Sequence, residues 1–197
     1  MVRARLRPLL LVAAAAVAGC AQPEAPRSQG ASREVDGGHD PLAARQDELE
    51  RQVARDTLDP WPHYHLARLF EERGEFPRAI QEYGAAINRL PPRSYTTPML
   101  RLGALQQRLG NGEAAARCFG EVLDTVTGDA TKYRENPDFR LAARGLKTVL
   151  AAQEPPPQER LDALRARFLG ELGGTQEQWD TPPPWLPEED EAAREEG

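Results

Sequence analysis

Residues 60–93 read PWPHYHLARLFEERGEFPRAIQEYGAAINRLPPR, and residues 96–129 read TTPMLRLGALQQRLGNGEAAARCFGEVLDTVTGD. Laid over one another at an offset of 36 residues, the two stretches share their punctuation: Leu66, Ala67, Gly74, Ala79 and Tyr83 fall on Leu102, Gly103, Gly110, Ala115 and Phe119. Apolar residues recur at three-and-four spacing on both sides of each shared glycine, which predicts two amphipathic helices per copy. Gly74 and Gly110 supply the positive φ that a tight interhelical turn requires, and Ala79 and Ala115 let paired helices approach closely. Each copy is therefore a helical hairpin. A hairpin leaves one apolar face uncovered, so neighbours must stack on it.

Working outward, the segment from Pro41 to about Thr57 carries Leu42, Leu49 and Val53 on one face and follows the pair Asp40-Pro41. The same Asx-Pro device opens residues 60 and 137, where the side chain accepts otherwise orphaned backbone N–H groups and proline removes only a donor that was unpaired anyway. Residues 136–174 supply a third, degenerate hairpin with Phe139, Leu141, Leu146, Val149 and Leu150, then Leu161, Leu164, Phe168, Leu169 and Leu172, ended by Gly173-Gly174. The expectation is an all-α chain of about seven helices: a capping helix at 40–58, hairpins at 59–93 and 94–129, and the degenerate hairpin as a second cap. Abundant Ala, Leu, Arg and Glu, with 40% hydrophobic but only 6% aromatic residues, agree with helices.

Leu66, Ala67, Phe70, Gly74, Phe76, Ala79, Ile80, Tyr83, Ala86, Ile87 and Pro91 resemble the tetratricopeptide pattern. The second copy departs from it at Gln106 and Gly112, where aromatics are usual, and at Thr127 in place of the closing proline. The resemblance implies a short right-handed solenoid whose first helices line a protein-binding groove. It assigns to that groove Trp61, Tyr64, Arg68, Glu71 and Glu72, and from the second copy Thr97, Leu100, Ala104, Gln107 and Arg108. Trp61, Tyr64 and Arg68 lie one helical turn apart and are residue types enriched at binding hot spots. Two placements of Trp61 stay open: in the groove, or packed beneath the capping helix.

Residues 1–19 have the three-part layout of a signal peptide: Arg3, Arg5 and Arg7, an apolar run of ten from Leu9 to Ala18, then small residues. A spanning helix needs about 20 apolar residues, so this run is too short to remain in a membrane. Val17-Ala18-Gly19-Cys20 resembles the lipobox of bacterial lipoproteins, which implies acylation of Cys20 and a lipid anchor. Ala21, where the family's inner-membrane retention signal would place Asp, points to the outer membrane and its periplasmic face. The alternative is an ordinary secretory peptide with Cys20 incidental. Residues 20–39, rich in Gly, Pro, Ser and Gln, read as a flexible tether, and 175–197 as a disordered proline-rich acidic tail. Trp179, Trp185 and Leu186 within that tail fit an extended polyproline motif that docks on a partner, a segment folded back on the groove, or plain solvated chain.

No chemistry announces itself. The formal charge is −6, and without the three leader arginines 22 basic residues face 31 acidic ones, a balance that excludes a nucleic-acid surface. His63 and His65 stand two apart and so diverge on a helix, which removes the obvious metal pair. Cys118, flanked by Arg117 and Phe119, reads as a small core group. No phosphate loop, nucleophile elbow or dinucleotide fingerprint occurs. The expectation is accordingly no enzyme, no cofactor, no metal and no small-molecule substrate. It is instead a membrane-tethered adaptor for protein partners. The rival is a structural accessory subunit of an envelope complex that uses a helix face or the tail and leaves the groove idle.

Overall fold

A computed structural model describes residues 41–186, and every regular element among them is helical. The helices are α1 (Pro41–Arg55), α2 (Pro60–Glu72), α3 (Phe76–Arg89), α4 (Thr96–Arg108), α5 (Gly112–Asp124), α6 (Pro137–Ala151), α7 (Gln158–Gly170) and α8 (Gln176–Asp180). A 3-10 turn, Ala130–Tyr133, leads into α6. The leader, Asp40, the tether with Cys20 and the acidic end beyond residue 186 lie outside the described residues.

Local signals fix the starts and turns. Asp59 accepts from the Trp61 N–H at 3.0 Å and Asn136 from the Asp138 N–H at 2.9 Å, each beside a proline in the first helical turn. Gly74 and Gly110 take φ of 73° and 76° between the helices of the two hairpins. Helices adjacent in sequence pack pairwise from α1 to α8, and α6 contacts α4 as well as α5.

Two apolar clusters result. The smaller joins Leu49 of α1 to Leu66, Leu69 and Phe70 of α2, Tyr83 of α3 and Leu105 of α4. The larger runs from Met99 and Leu100 of α4 through Phe119, Phe139 and Phe168 to Trp179 of α8. α7 is tied back to α5 by Arg167, which donates to the Leu123 carbonyl at 2.7 Å.

The structure departs from the sequence reading at the C-terminal end. Residues 175–186, assigned to the structureless tail, are folded, and α8 makes an eighth helix where seven were expected. Its cause is part local, part tertiary. Thr175 and Gln178 form a reciprocal capping box, and the Trp179 ring is buried 5.2 Å from Phe168. Five residues would not hold a helix alone.

Candidate functional site

Along α2 the aromatic and charged residues form a connected ladder. Trp61 is 51% exposed and meets Tyr64 edge-on at 6.0 Å between ring centroids. Tyr64 in turn lies 6.0 Å from Tyr83 of α3. The Tyr83 hydroxyl donates to Glu71 Oε2 at 2.8 Å, and Arg108 of α4 donates to Glu71 Oε1 at 2.8 Å. Glu71 is thereby pinned between two helices that flank its own. Burial first, then the Glu71 charge and hydrogen bond, push the Tyr83 phenol far above its ordinary range, so it stays a donor. Arg68 and Glu72 form a looser exposed pair at 3.7 Å, of the kind that contributes little to stability.

Of the residues assigned to a groove, Trp61, Tyr64, Arg68, Glu71 and Glu72 share this face, and Arg108 joins them through Glu71. Half of the Trp61 surface faces solvent, so the capping helix does not enclose it. Leu100 is a correction. It stands at the second-copy position of Tyr64 but is only 4% exposed, because α6 packs over α4 and draws it into the larger core. Ala104 is buried as well, and Thr97 donates to Asp138 of α6 at 2.6 Å. Gln107 is already engaged: its side-chain carbonyl accepts the Trp185 indole N–H at 2.9 Å.

That contact belongs to a strap, the fold-back among the three readings open for Trp179, Trp185 and Leu186. After α8 the chain runs back over α6, where Arg144 donates to the carbonyls of Thr181, at 3.1 Å, and of Pro182. Lys147 donates to the Trp179 carbonyl at 2.5 Å. Burial lowers the pKa of both cations, and for Lys147 the neighbouring Asp180 opposes that shift. Pro183 is fully buried, and the Leu186 N–H closes a turn onto the Pro183 carbonyl at 3.1 Å. Trp185 stacks on Phe119 with centroids 5.7 Å apart and planes at 23°.

Phe119 fits between α4 and α6 because two glycines leave it room. A Cβ on Gly103 of α4 would stand 2.8 Å from its ring, and one on Gly145 of α6 would stand 2.6 Å away. Phe119 therefore occupies a slot between α4 and α6 with Trp185 as its lid. Gly103 and Phe119 carried a signal in the repeat itself. Gly145 and the two strap-holding cations carried none, since their role exists only once the tail has folded back.

The described residues hold no converging set of three His, Cys, Asp or Glu side chains. His63 is buried with Nδ1 2.7 Å from Glu82, whereas His65 is exposed on the other side of α2, its pKa lowered by partial burial, Arg45 and Arg68. Cys118 is half-buried, and burial pushes its thiol up to about 11. A cleft of about 420 Å³ between α6, α7 and α8 is lined by Lys147, Asp162, Arg165 and Asp180. It carries charges of both signs. No described helix is long and apolar enough to cross a membrane.

No family model, curated protein or solved structure matches the chain.

Proposed function

We propose that this chain is an adaptor: a right-handed tetratricopeptide-type stack, anchored by acylated Cys20 to an envelope membrane, that holds protein partners at the periplasmic face. The observation that carries this reading is Trp61, a large aromatic left half exposed at the head of the Tyr64, Tyr83 and Glu71 ladder. A rigid, amphipathic ring backed by an ordered aromatic and bordered by Arg68 has the make-up of a binding hot spot. The cleft beside α8 is open and lined by charges of both signs, with no converging set of three His, Cys, Asp or Glu side chains among the described residues, which supports binding over catalysis.

The test is crosslinking in the native envelope followed by recovery of the chain, comparing wild type with Trp61→Ala/Arg68→Ala. Trp61 is half exposed and the Arg68 side chain 40% exposed, so the double variant should stay folded at a cost of about 1 to 2 kcal/mol. The reading predicts that one or more partners fall at least about tenfold in yield. Unchanged recovery would transfer the function to the second reading, an accessory subunit acting through a helix face or the tail. The occupied seat at Gln107 favours that alternative. The anchor has its own test: Cys20→Ser should abolish acylation and release the chain from membrane fractions, and a variant that stays acylated and membrane-bound rules the anchor out.

A further inference from the structure

We infer that the slot over Phe119 is a docking seat for a tryptophan carried in a proline-flanked turn of a partner protein, and that residues 181–186 are its resident ligand, displaced when that partner binds. The inference rests on the adaptor reading and names the partner's chemistry.

The seat has the attributes of a built recognition site. Its floor is the Phe119 ring, given room between α4 and α6 by Gly103 and Gly145, where any side chain would collide with it. Its polar wall is the Gln107 carbonyl, which reads the indole N–H at 2.9 Å and so selects Trp over Phe. The turn that presents Trp185 is closed by one backbone hydrogen bond at 3.1 Å and seated by buried Pro183.

The means of attachment make replacement feasible. Arg144 grips backbone carbonyls of the strap, at Thr181 and Pro182, and no side chains. Any segment that carries a residue and a proline ahead of Pro-Pro-Trp-Leu in the same turn offers carbonyls at the positions of Thr181 and Pro182 equally. Trp179, by contrast, anchors α8 against Phe168 independently of residues 182–186. The strap can therefore peel from the seat while α8 stays docked. A resident ligand on a short leash has an effective concentration in the millimolar range, so an outside peptide competes at a disadvantage of about tenfold or more.

The test uses the purified full chain and a fluorescent peptide Thr-Pro-Pro-Pro-Trp-Leu, the sequence of residues 181–186. The expected result is that Trp185→Ala binds the peptide at least about tenfold more tightly than wild type. Adding Gln107→Leu should weaken that binding about tenfold, and a peptide with Ala for Trp should not bind. Equal affinity of wild type and Trp185→Ala, or binding indifferent to the peptide's Trp, overturns the inference. So does one-to-one pairing of Trp185→Ala with wild type in sedimentation, which would make the occupant a second copy of this chain. Should Trp185→Ala melt early, wild type labelled with 5-fluorotryptophan gives the answer. Excess peptide must then move one of three resonances to its solvent-exposed position, and three unmoved resonances overturn the inference. Loss of peptide binding with partner recovery still dependent on Trp61 and Arg68 removes only this inference. Peptide binding with partner recovery independent of them removes only the adaptor face.

Discussion

The two repeat copies solve one packing problem with different chemistry. In the first, Tyr83 fills the space between helices and its own hydroxyl donates to Glu71 at 2.8 Å. In the second, Phe119 holds the position of Tyr83 and Gln107 that of Glu71, 36 residues on, and no hydroxyl is present. Trp185 supplies what is missing: it covers the ring and donates to Gln107 at 2.9 Å. The neighbouring pair differs in the same sense, for His63 bonded to Glu82 in the first copy becomes Met99 and Cys118 in the second. A self-sufficient polar copy leaves its outer face, with Trp61, open. An apolar copy needs a lid, and a lid drawn from the end of the chain is one that can be exchanged.

The contrast breaks most completely at its floor. Phe119→Ala should cost about 3 to 5 kcal/mol in urea unfolding, because it empties a fully buried slot and strands Trp185. A loss below about 1 kcal/mol would mean that α4 and α6 are not held apart by this ring. Next in size is Tyr83→Phe, expected to cost about 1 to 2 kcal/mol through the lost bond to a carboxylate. Glu71 keeps Arg108, which limits the damage. The converse substitution sharpens the comparison. Phe119→Tyr should give the second copy its own donor to Gln107 and expel Trp185, shifting tryptophan emission to the red. Its stability should change by no more than about 1 kcal/mol. Emission unchanged from wild type would show that Trp185 is held by more than the lid position.

The smallest effect concerns reactivity. The Cys118 thiol, pushed up to about 11 by burial and by Glu121, should carry about a hundredfold less thiolate at pH 8 than an ordinary cysteine. Alkylation should be slow by the same factor and accelerate only as pH approaches that value. Rapid modification at pH 8 would place Cys118 outside the packed interface that it shares with Gly103.

Much of this architecture is legible in the sequence because its causes are local. Glycine turns at 74 and 110, Asx-Pro starts at 59 and 136, and three-and-four apolar spacing all act within a few residues. The open half of the candidate site was legible for the same reason, since Trp61, Tyr64 and Arg68 share a helix face by spacing alone. The lid was not. α8 exists through Trp179 meeting Phe168 of α7 and, 32 residues back, Lys147 of α6, contacts between different helices that no local pattern encodes. Leu100 misled for a related reason: its spacing matches Tyr64, but the arrival of α6 turned an outer position into a core one. Gly145 looks like an ordinary helix-weakening glycine until Phe119 is seen beside it.

The most direct test places a photocrosslinking benzoylphenylalanine at position 61 in one full-length chain and at position 185 in another, each expressed in its native cell. An open first copy and a lidded second predict that position 61 captures a foreign protein while position 185 crosslinks within the chain, to the segment around Gln107 and Phe119. Position 185 capturing foreign protein while position 61 captures none would contradict the account.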